Sequence, residues 1–214
     1  MLESFYINSK EDNMFFALTE DGKRIHIRNT HVKDTYYCPD CGEELIVRKG
    51  EKNRPHFAHK SRSVCIYSSD TDAMSVWHAN WQSRFPQDCQ EILLKNDKNQ
   101  KCIADVFLEK TKTVIEFQHS NIASDLFDKR NKFYTSLGYH VVWLFDFSSQ
   151  YNSRAIDESY NDEDKYHWRR PKTTFNNFKL NQGVELFFQF ENLSEDEETF
   201  CTDMASYYMS ENYT

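Results

Sequence analysis

Asp105, Glu116 and Gln118 are spaced as D-x10-E-x-Q within CIADVFLE and TVIEFQHS. If the two segments are neighbouring strands, Asp105 and Glu116 come to lie side by side. Two adjacent carboxylates repel each other unless a cation stands between them. Mg²⁺ or Mn²⁺ suits that place, because both take hard oxygen ligands and leave positions for water or phosphate. Such an ion would polarise a phosphate oxygen and acidify a bound water. By alternation Glu116, Gln118 and Ser120 share one face of their strand, and Phe117 and His119 the other. The same spacing, taken alone, also fits solvent-facing residues of a half-exposed sheet. The surrounding elements must decide.

A second constellation stands earlier in the chain. Cys38 and Cys41 form CPDCGEE, and His56 and His59 follow in PHFAH, with Cys65 just beyond. Two thiolates two residues apart can grip one ion, and zinc takes four N or S ligands in a tetrahedron. Cys38, Cys41, His56 and His59 are the expected set, with Cys65 as the alternative ligand. In a regular strand His56 and His59 face opposite ways, so both can ligate only if the chain turns between them. Four protein ligands leave no open position, so this zinc is expected to be structural. The alternative is two buried cysteines beside two surface histidines.

The elements needed to hold the carboxylates are legible around them. AMSVWHANWQSRF sets Met74, Trp77, Trp81 and Phe85 on one helical face, and Pro86 stops that helix. Three strand-like runs follow, CQEILLK, CIADVFLE and TVIEFQHS, joined by short polar connections. SDLFDKRNKFYTSLG reads as a second amphipathic helix, with Ser124 as N-cap, Gly138 just past its end, and Leu126, Phe133, Tyr134 and Leu137 as its buried stripe. YHVVWLFDF is the apolar run of a strand buried on both faces. The order αβββαβ is that of the PD-(D/E)XK, restriction-endonuclease-like core, and Asp105 and E-x-Q fall on its second and third strands. Ahead of this core, FFALT–EDGK–RIHIR and ELIVRKGEKNRPHFAH read as two hairpins of a small β-rich zinc-binding domain. The expected division is 1–67 for that domain, 68–150 for the core, and 151–214 for an extension containing one strand, VELFFQF, and an acidic tail expected to be disordered.

The 214 residues carry a net charge of −8, which argues against indiscriminate nucleic-acid binding. The distribution is uneven, however. Arg48, Lys49, Lys52, Arg54, Lys60 and Arg62 cluster in and just after the second hairpin, while acids collect in the last third. That basic run is either a phosphate-binding face or a solvated surface. Trp168, Arg169, Arg170 and Lys172 present the same choice. No run approaches the roughly 20 apolar residues of a membrane span, and MLESFYINSKEDN lacks the apolar stretch of a signal peptide. A cytoplasmic location is the resulting expectation, under which CxxC reads as metal binding rather than as a disulfide.

Taken together, CPDCGEELIVRKGEKNRPHFAH, VWHANWQSRF, IADVFLEKTKTVIEFQHSNI and RNKFYTSLGYHVVWLFD resemble the competence protein CoiA-like family, over roughly residues 14 to 180. The resemblance implies a zinc-finger-like front region joined to a PD-(D/E)XK nuclease domain. It gives Asp105, Glu116 and Gln118 the places of the nuclease signature, His78 that of a histidine in the first helix, and Glu91 that of an acid in the first strand. His78 also suits a plain core-edge hydrogen bond. The wider superfamily usually has Lys where Gln118 stands; Gln can orient a water but brings no charge. Arg130 falls on the stripe of the second helix and needs a partner there, either a carboxylate or a phosphate. The expected function is metal-dependent hydrolysis of DNA, with RNA as an alternative substrate, in DNA uptake, recombination, repair or defence. Arg48, Lys49, Lys52, Arg54 and Ser120 would contact the nucleic acid, and a recombination or defence protein is the expected partner. The rival expectations are a non-catalytic DNA-binding adaptor and a junction resolvase.

Overall fold

The structure, a computed structural model, describes residues 14–50, 54–60, 65–69, 74–147, 156–159, 162–168, 183–189 and 204–206. The chain divides into two compact units, Met1–Ser75 and Val76–Thr214. Among the described residues no helix is long and apolar enough to cross a membrane.

The front unit is a five-stranded sheet. Its strands are β1 (Phe16–Leu18), β2 (Arg24–His26), β3 (Tyr36–Tyr37), β4 (Glu44–Arg48) and β5 (His56–His59), followed by a single helical turn, α1 (Ile66–Ser69). The spatial order is β2-β1-β3-β4-β5, antiparallel throughout. Both anticipated hairpins form. β1 and β2 pair Phe16 with His26 across the Thr19–Lys23 turn, and β4 and β5 pair Leu45 with His59 and Arg48 with His56. β3 is too short to leave a pattern in sequence. A bridge from Met14 to Phe57 ties the chain ahead of β1 to β5. Inside lie Met14, Phe16, Ile27, Tyr36, Leu45 and Phe57, a small core.

The second unit is mixed α/β. Its elements are α2 (Val76–Gln82), β6 (Gln90–Lys95), β7 (Lys101–Leu108), β8 (Thr113–Gln118), α3 (Ser124–Ser136), β9 (His140–Asp146), β10 (Ile156–Ser159), β11 (Asp162–Trp168), β12 (Val184–Gln189) and β13 (Met204–Ser206). The order from α2 to β9 is the anticipated αβββαβ. The main sheet runs β13-β12-β9-β8-β7-β6, and β10 and β11 pair separately. β6, β7 and β8 are antiparallel neighbours, whereas β8, β9 and β12 run parallel. A parallel pair needs a crossover, and α3 supplies it between β8 and β9. The sheet also takes in β12, from the segment expected to be an extension.

Each face of the sheet has its own apolar layer. Phe127, Phe133 and Tyr134 of α3 pack on Val114, Val141, Trp143 and Phe145. Trp77, Trp81 and Phe85 pack on Val106, Phe117 and Leu144 of the other face. At seven residues α2 is too short to persist on propensity alone. It is pinned by hydrogen bonds: the Trp77 and Trp81 indoles both donate to Gln189 Oε1 at 2.8 Å, and Gln90 donates to the Gln82 and Phe85 carbonyls at 3.0 and 2.6 Å. α3 differs in detail from its sequence expectation. Ser124 is its first helical residue, Ala123 is the N-cap, and no side chain caps it. Leu126 is exposed and Phe127 is buried in its place, because α3 meets the sheet along Phe127, Asn131 and Tyr134. The end is as expected. Gly138, at φ +76°, donates to the Thr135 carbonyl, and Tyr139 donates to that of Tyr134. The left-handed conformation required there favours glycine.

Candidate functional site

In the front unit the ligand atoms of Cys38, Cys41, His59 and Cys65 all lie within 4.8 Å of one another. Cys38 Sγ is 3.8 Å from Cys65 Sγ, and His59 Nε2 is 3.4 Å from Cys41 Sγ and 3.6 Å from Cys65 Sγ. A tetrahedron with ligand bonds of about 2.3 Å has edges of about 3.7 Å, so three sulfurs and one imidazole at these spacings could hold a metal ion such as zinc. The local fold explains the convergence. Gly42, at φ +73°, closes the knuckle by donating to the Cys38 carbonyl, and the Asp40 amide points at Cys38 Sγ, 3.4 Å away. The Asp40 carboxylate accepts from the Ile66 amide at 3.0 Å, which fixes the start of α1 and with it Cys65. Burial pushes the Cys38 thiol up to about 12, so it is neutral until a cation draws off its proton.

His56 is not part of this set, which corrects the expected ligand list. β5 stays a regular strand, so His56 and His59 point apart. The His56 ring meets the Arg54 carbonyl through Nδ1 at 2.7 Å. Cys65, the alternative candidate, stands fourth in the cluster.

In the second unit Asp105 and Glu116 meet where the β7–β8 ladder stops. The last pairs of that ladder are Leu108–Thr113, Phe107–Val114 and Val106–Ile115. One step further the Asp105 carboxylate replaces a backbone acceptor and takes the Phe117 N–H at 2.8 Å. Side-chain alternation along β7 slips at this point: Cys102 and Ala104 join the layer under α3, whereas Val106 joins that under α2. On the β6 side the ladder pairs Gln90 with Val106 and Ile92 with Ala104, passing over Glu91 opposite Asp105. Glu91 is buried, with φ +48°. A non-glycine side chain in that region is strained, and such strain collects at functional sites.

Glu116 is 2% exposed and is gripped from α3. Arg130 Nη2 lies 2.7 and 2.6 Å from its two carboxylate oxygens and 2.8 Å from the Ile103 carbonyl. The Tyr134 hydroxyl donates to Glu116 Oε1 at 2.5 Å and accepts the Cys102 thiol at 3.1 Å. Burial pushes the Glu116 carboxyl up to about 8; Arg130 pulls it down, and the charge of Asp105 adds to the rise. His78 Nε2 is 3.5 Å from Asp105 Oδ2, and its ring packs against Phe117. The Gln118 amide nitrogen donates to the Ser120 carbonyl at 2.8 Å and is 3.3 Å from its hydroxyl. Among the described residues Cys38, Cys41, His59 and Cys65 form the one group of three or more His, Cys, Asp or Glu whose ligand atoms converge. Glu91 and His78 therefore stand beside the Asp105–Glu116 pair without completing a three-ligand set.

Arg48 and Arg54 are both exposed at the same end of the β4–β5 pair, where Arg48 faces His56, and Lys49, also exposed, donates from Nζ to the Thr30 carbonyl at 2.8 Å. Ser120 is exposed just past β8. Lys52, Arg169, Arg170, Lys172 and the acidic tail lie outside the described residues. Of the two partners open to Arg130, the carboxylate is the one found. Tyr134 was missed as a polar participant, although it sits four residues after Arg130 on the same helical face and a buried tyrosine hydroxyl needs a partner. His119 was missed as well. Half-exposed, its Nδ1 lies 2.7 Å from the buried carboxylate of Asp146, at the ends of β8 and β9. No spacing in the sequence announces that pair.

Two family models match the chain. One is described as the competence protein CoiA N-terminal domain, over residues 19–68, and the other as the competence protein CoiA nuclease-like domain, over residues 80–201. The protein named competence protein CoiA of Bacillus subtilis (strain 168) is 26% identical over 141 residues, which are 63% of this chain and 36% of that protein. This chain thus matches little more than a third of that relative's length. No solved structure matches with significance.

Proposed function

The chain belongs to the competence protein CoiA family, and from that premise we propose that its second unit is a divalent-metal-dependent nuclease of the PD-(D/E)XK type acting on DNA. The observation that carries this reading is the meeting of Asp105 and Glu116 at the open end of the β7–β8 ladder, with His78 at its edge. Once Glu116 gives up its proton, two carboxylates against one guanidinium leave a negative charge uncompensated, and oxygen donors suit Mg²⁺ or Mn²⁺. Asp105 and Glu116 would hold such an ion, which when bound supplies charge to neutralise a phosphate and acidifies a coordinated water. Gln118, its amide tied to Ser120, would orient the attacking water without adding charge. His78 would carry a proton at the edge of the site, and Glu91 would add negative charge from the neighbouring strand.

In the front unit Cys38, Cys41, His59 and Cys65 would bind a structural zinc, which offsets the small core of a domain of about 60 residues. The exposed basic residues of the β4–β5 pair would hold the phosphate backbone. The family name motivates DNA uptake as the setting, with a recombination protein as partner and the cytoplasm as location. Repair or defence would use the same chemistry.

The test is cleavage of single-stranded, duplex and branched DNA by the purified chain in Mg²⁺ and Mn²⁺, beside Asp105→Asn and Glu116→Ala. Metal-dependent cleavage lost in both variants supports the reading; cleavage that survives in both, from a clean preparation, sinks it.

A second reading, a non-catalytic DNA-binding adaptor, is favoured by one specific observation. Arg130 already meets both Glu116 oxygens, while Gln118 stands where a charged lysine is usual. An adaptor would bind DNA equally well with and without divalent metal and cleave none of the three substrates.

A further inference from the structure

Glu116 is the polar end of a chain of contacts rooted in α3. Arg130 and Tyr134 stand four residues apart on that helix, so both project toward β8 from one face. Each also touches the backbone of β7: Arg130 Nη2 and the Tyr134 hydroxyl lie 2.8 and 3.1 Å from the Ile103 carbonyl, two residues before Asp105. The two side chains further touch each other, at 3.2 Å from Arg130 Nη2 to the Tyr134 hydroxyl. One helix face thus fixes the Glu116 carboxylate and the strand that carries Asp105.

Resting on the nuclease reading above, we propose that Arg130 and Tyr134 are positioning residues, which hold the Glu116 carboxylate in the single orientation from which it and Asp105 share one divalent cation. The geometry explains why both are needed. Glu116 has three side-chain torsions and would otherwise swing between rotamers. A guanidinium nitrogen facing both oxygens fixes the plane of the carboxylate, and the phenol bonded to Oε1 fixes its rotation. A lysine in place of Arg130 keeps the charge but loses the planar donor group. A phenylalanine in place of Tyr134 keeps the packing and loses one hydrogen bond. Neither residue would touch the substrate; each acts through Glu116. Partners of this kind around a metal ligand usually change metal affinity or activity by about 10- to 100-fold when removed.

The experiment uses the full chain loaded with zinc. Mn²⁺ affinity is read by electron paramagnetic resonance titration, and kcat and KM on a DNA substrate are measured separately. The variants are Arg130→Lys, Tyr134→Phe, Glu116→Ala and the two doubles that combine Glu116→Ala with each of the others. The expected result is Mn²⁺ binding weakened about 10- to 100-fold in Arg130→Lys and in Tyr134→Phe, with kcat lowered and KM nearly unchanged. Neither change should weaken Mn²⁺ binding further once Glu116 is alanine. Tyr134→Phe keeps the aromatic volume, so it stays informative if Arg130→Lys does not fold; thermal melts check both. If Glu116→Ala loses Mn²⁺ and cleavage while Arg130→Lys and Tyr134→Phe keep both, the positioning role is overturned and the nuclease reading stands. If the two variants weaken Mn²⁺ binding equally with and without Glu116, they act through the general fold, and the proposal is overturned. If Glu116→Ala itself binds Mn²⁺ and cleaves like the parent, the site reading fails and the positioning role falls with it.

Discussion

In the front unit three sulfurs and an imidazole nitrogen crowd within 4.8 Å of one another, and the positive charge that would draw off their protons has to come from an ion. In the second unit the Glu116 carboxylate is buried against Arg130, which meets both of its oxygens, and Asp105 stands across the strand pair from it. The difference separates a cluster that could take a metal ion from a carboxylate whose orientation the protein's own side chains hold. A four-ligand sulfur site in a small domain is coupled to folding. On the proposed nuclease reading, a carboxylate braced by a helix in a large core would stay in place while a cation comes and goes.

The sharpest way to break this comparison is to remove each metal in turn. Chelating zinc, or changing Cys38 and Cys41 together to Ser, should unfold the front unit and leave the second folded, since structural zinc contributes on the order of 10 kcal/mol to small domains. Amide chemical-shift dispersion in the two units, with elemental analysis giving about one zinc per chain beforehand, reads the outcome. A front unit that stays folded without metal would erase the proposed difference. Removing Mg²⁺ or Mn²⁺ should abolish cleavage and leave the second unit's melting temperature nearly unchanged.

The next largest effect belongs to Arg130. Its ion pair with Glu116 is buried on both sides, with side chains 11% and 3% exposed. Where Glu116 is ionised, above about pH 8, breaking such a pair by removing one partner costs about 3–5 kcal/mol, because a charge is left without compensation. Arg130→Met should therefore destabilise the second unit by about that much in urea melts, whereas Tyr134→Phe, which removes one hydrogen bond, should cost about 1 kcal/mol. Equal, small effects from both would mean that Glu116 is not held from α3.

What the sequence showed and what it hid follow the same physical line. The order αβββαβ, both hairpins and the end of α3 were legible, because periodicity, turn residues and Gly138 are local signals. The CxxC knuckle was legible for the same reason. The fourth member of the cluster was not: choosing Cys65 over His56 depends on β5 remaining straight and on Asp40 fixing the start of α1, neither of which leaves a mark in spacing. Leu126 was assigned to the buried stripe of α3 and is exposed, since helical periodicity gives a face only to within a residue or so. Glu116 was legible as half of a pair. That Tyr134 completes its surroundings required knowing which face of β8 looks toward which turn of α3.

The titration of the two sites offers a finer distinction. With the Glu116 carboxyl raised from 4.5 to about 8 by burial, the folded metal-free chain holds a proton that the unfolded chain releases. Its stability contribution is therefore fully present below 4.5 and declines as pH rises from 4.5 to about 8. Mn²⁺ must displace that proton, so its affinity should climb about tenfold per pH unit below the shifted value and level off above it. Glu116→Gln should remove both slopes. A Mn²⁺ affinity that is flat with pH in the parent chain would show that Glu116 is already ionised by Arg130 alone.

The smallest effect sharpens the comparison from the substrate side, by asking whether the front unit also carries the DNA. Arg48 and Arg54 are both exposed at one end of the β4–β5 pair, and Lys49 is exposed with its ammonium on the Thr30 carbonyl. Each phosphate contact releases counterions, so losing one lowers the salt slope of duplex binding by about 0.9. Changing Arg48 and Arg54 together to Ala should flatten the slope by nearly twice that, while Lys49→Ala, whose donor is partly spent on Thr30, should change it by less than one contact. Turnover at saturating DNA should stay within about twofold in both variants, because positions that only hold the backbone add equally to ground and transition states. Binding measured across salt concentrations in Ca²⁺, against turnover in Mg²⁺, tests this. A slope unchanged by the double variant would confine DNA contact to the second unit and return the basic hairpin to a solvated face. A fall in turnover with an unchanged slope would instead mean that the front unit shapes the chemistry without holding the strand.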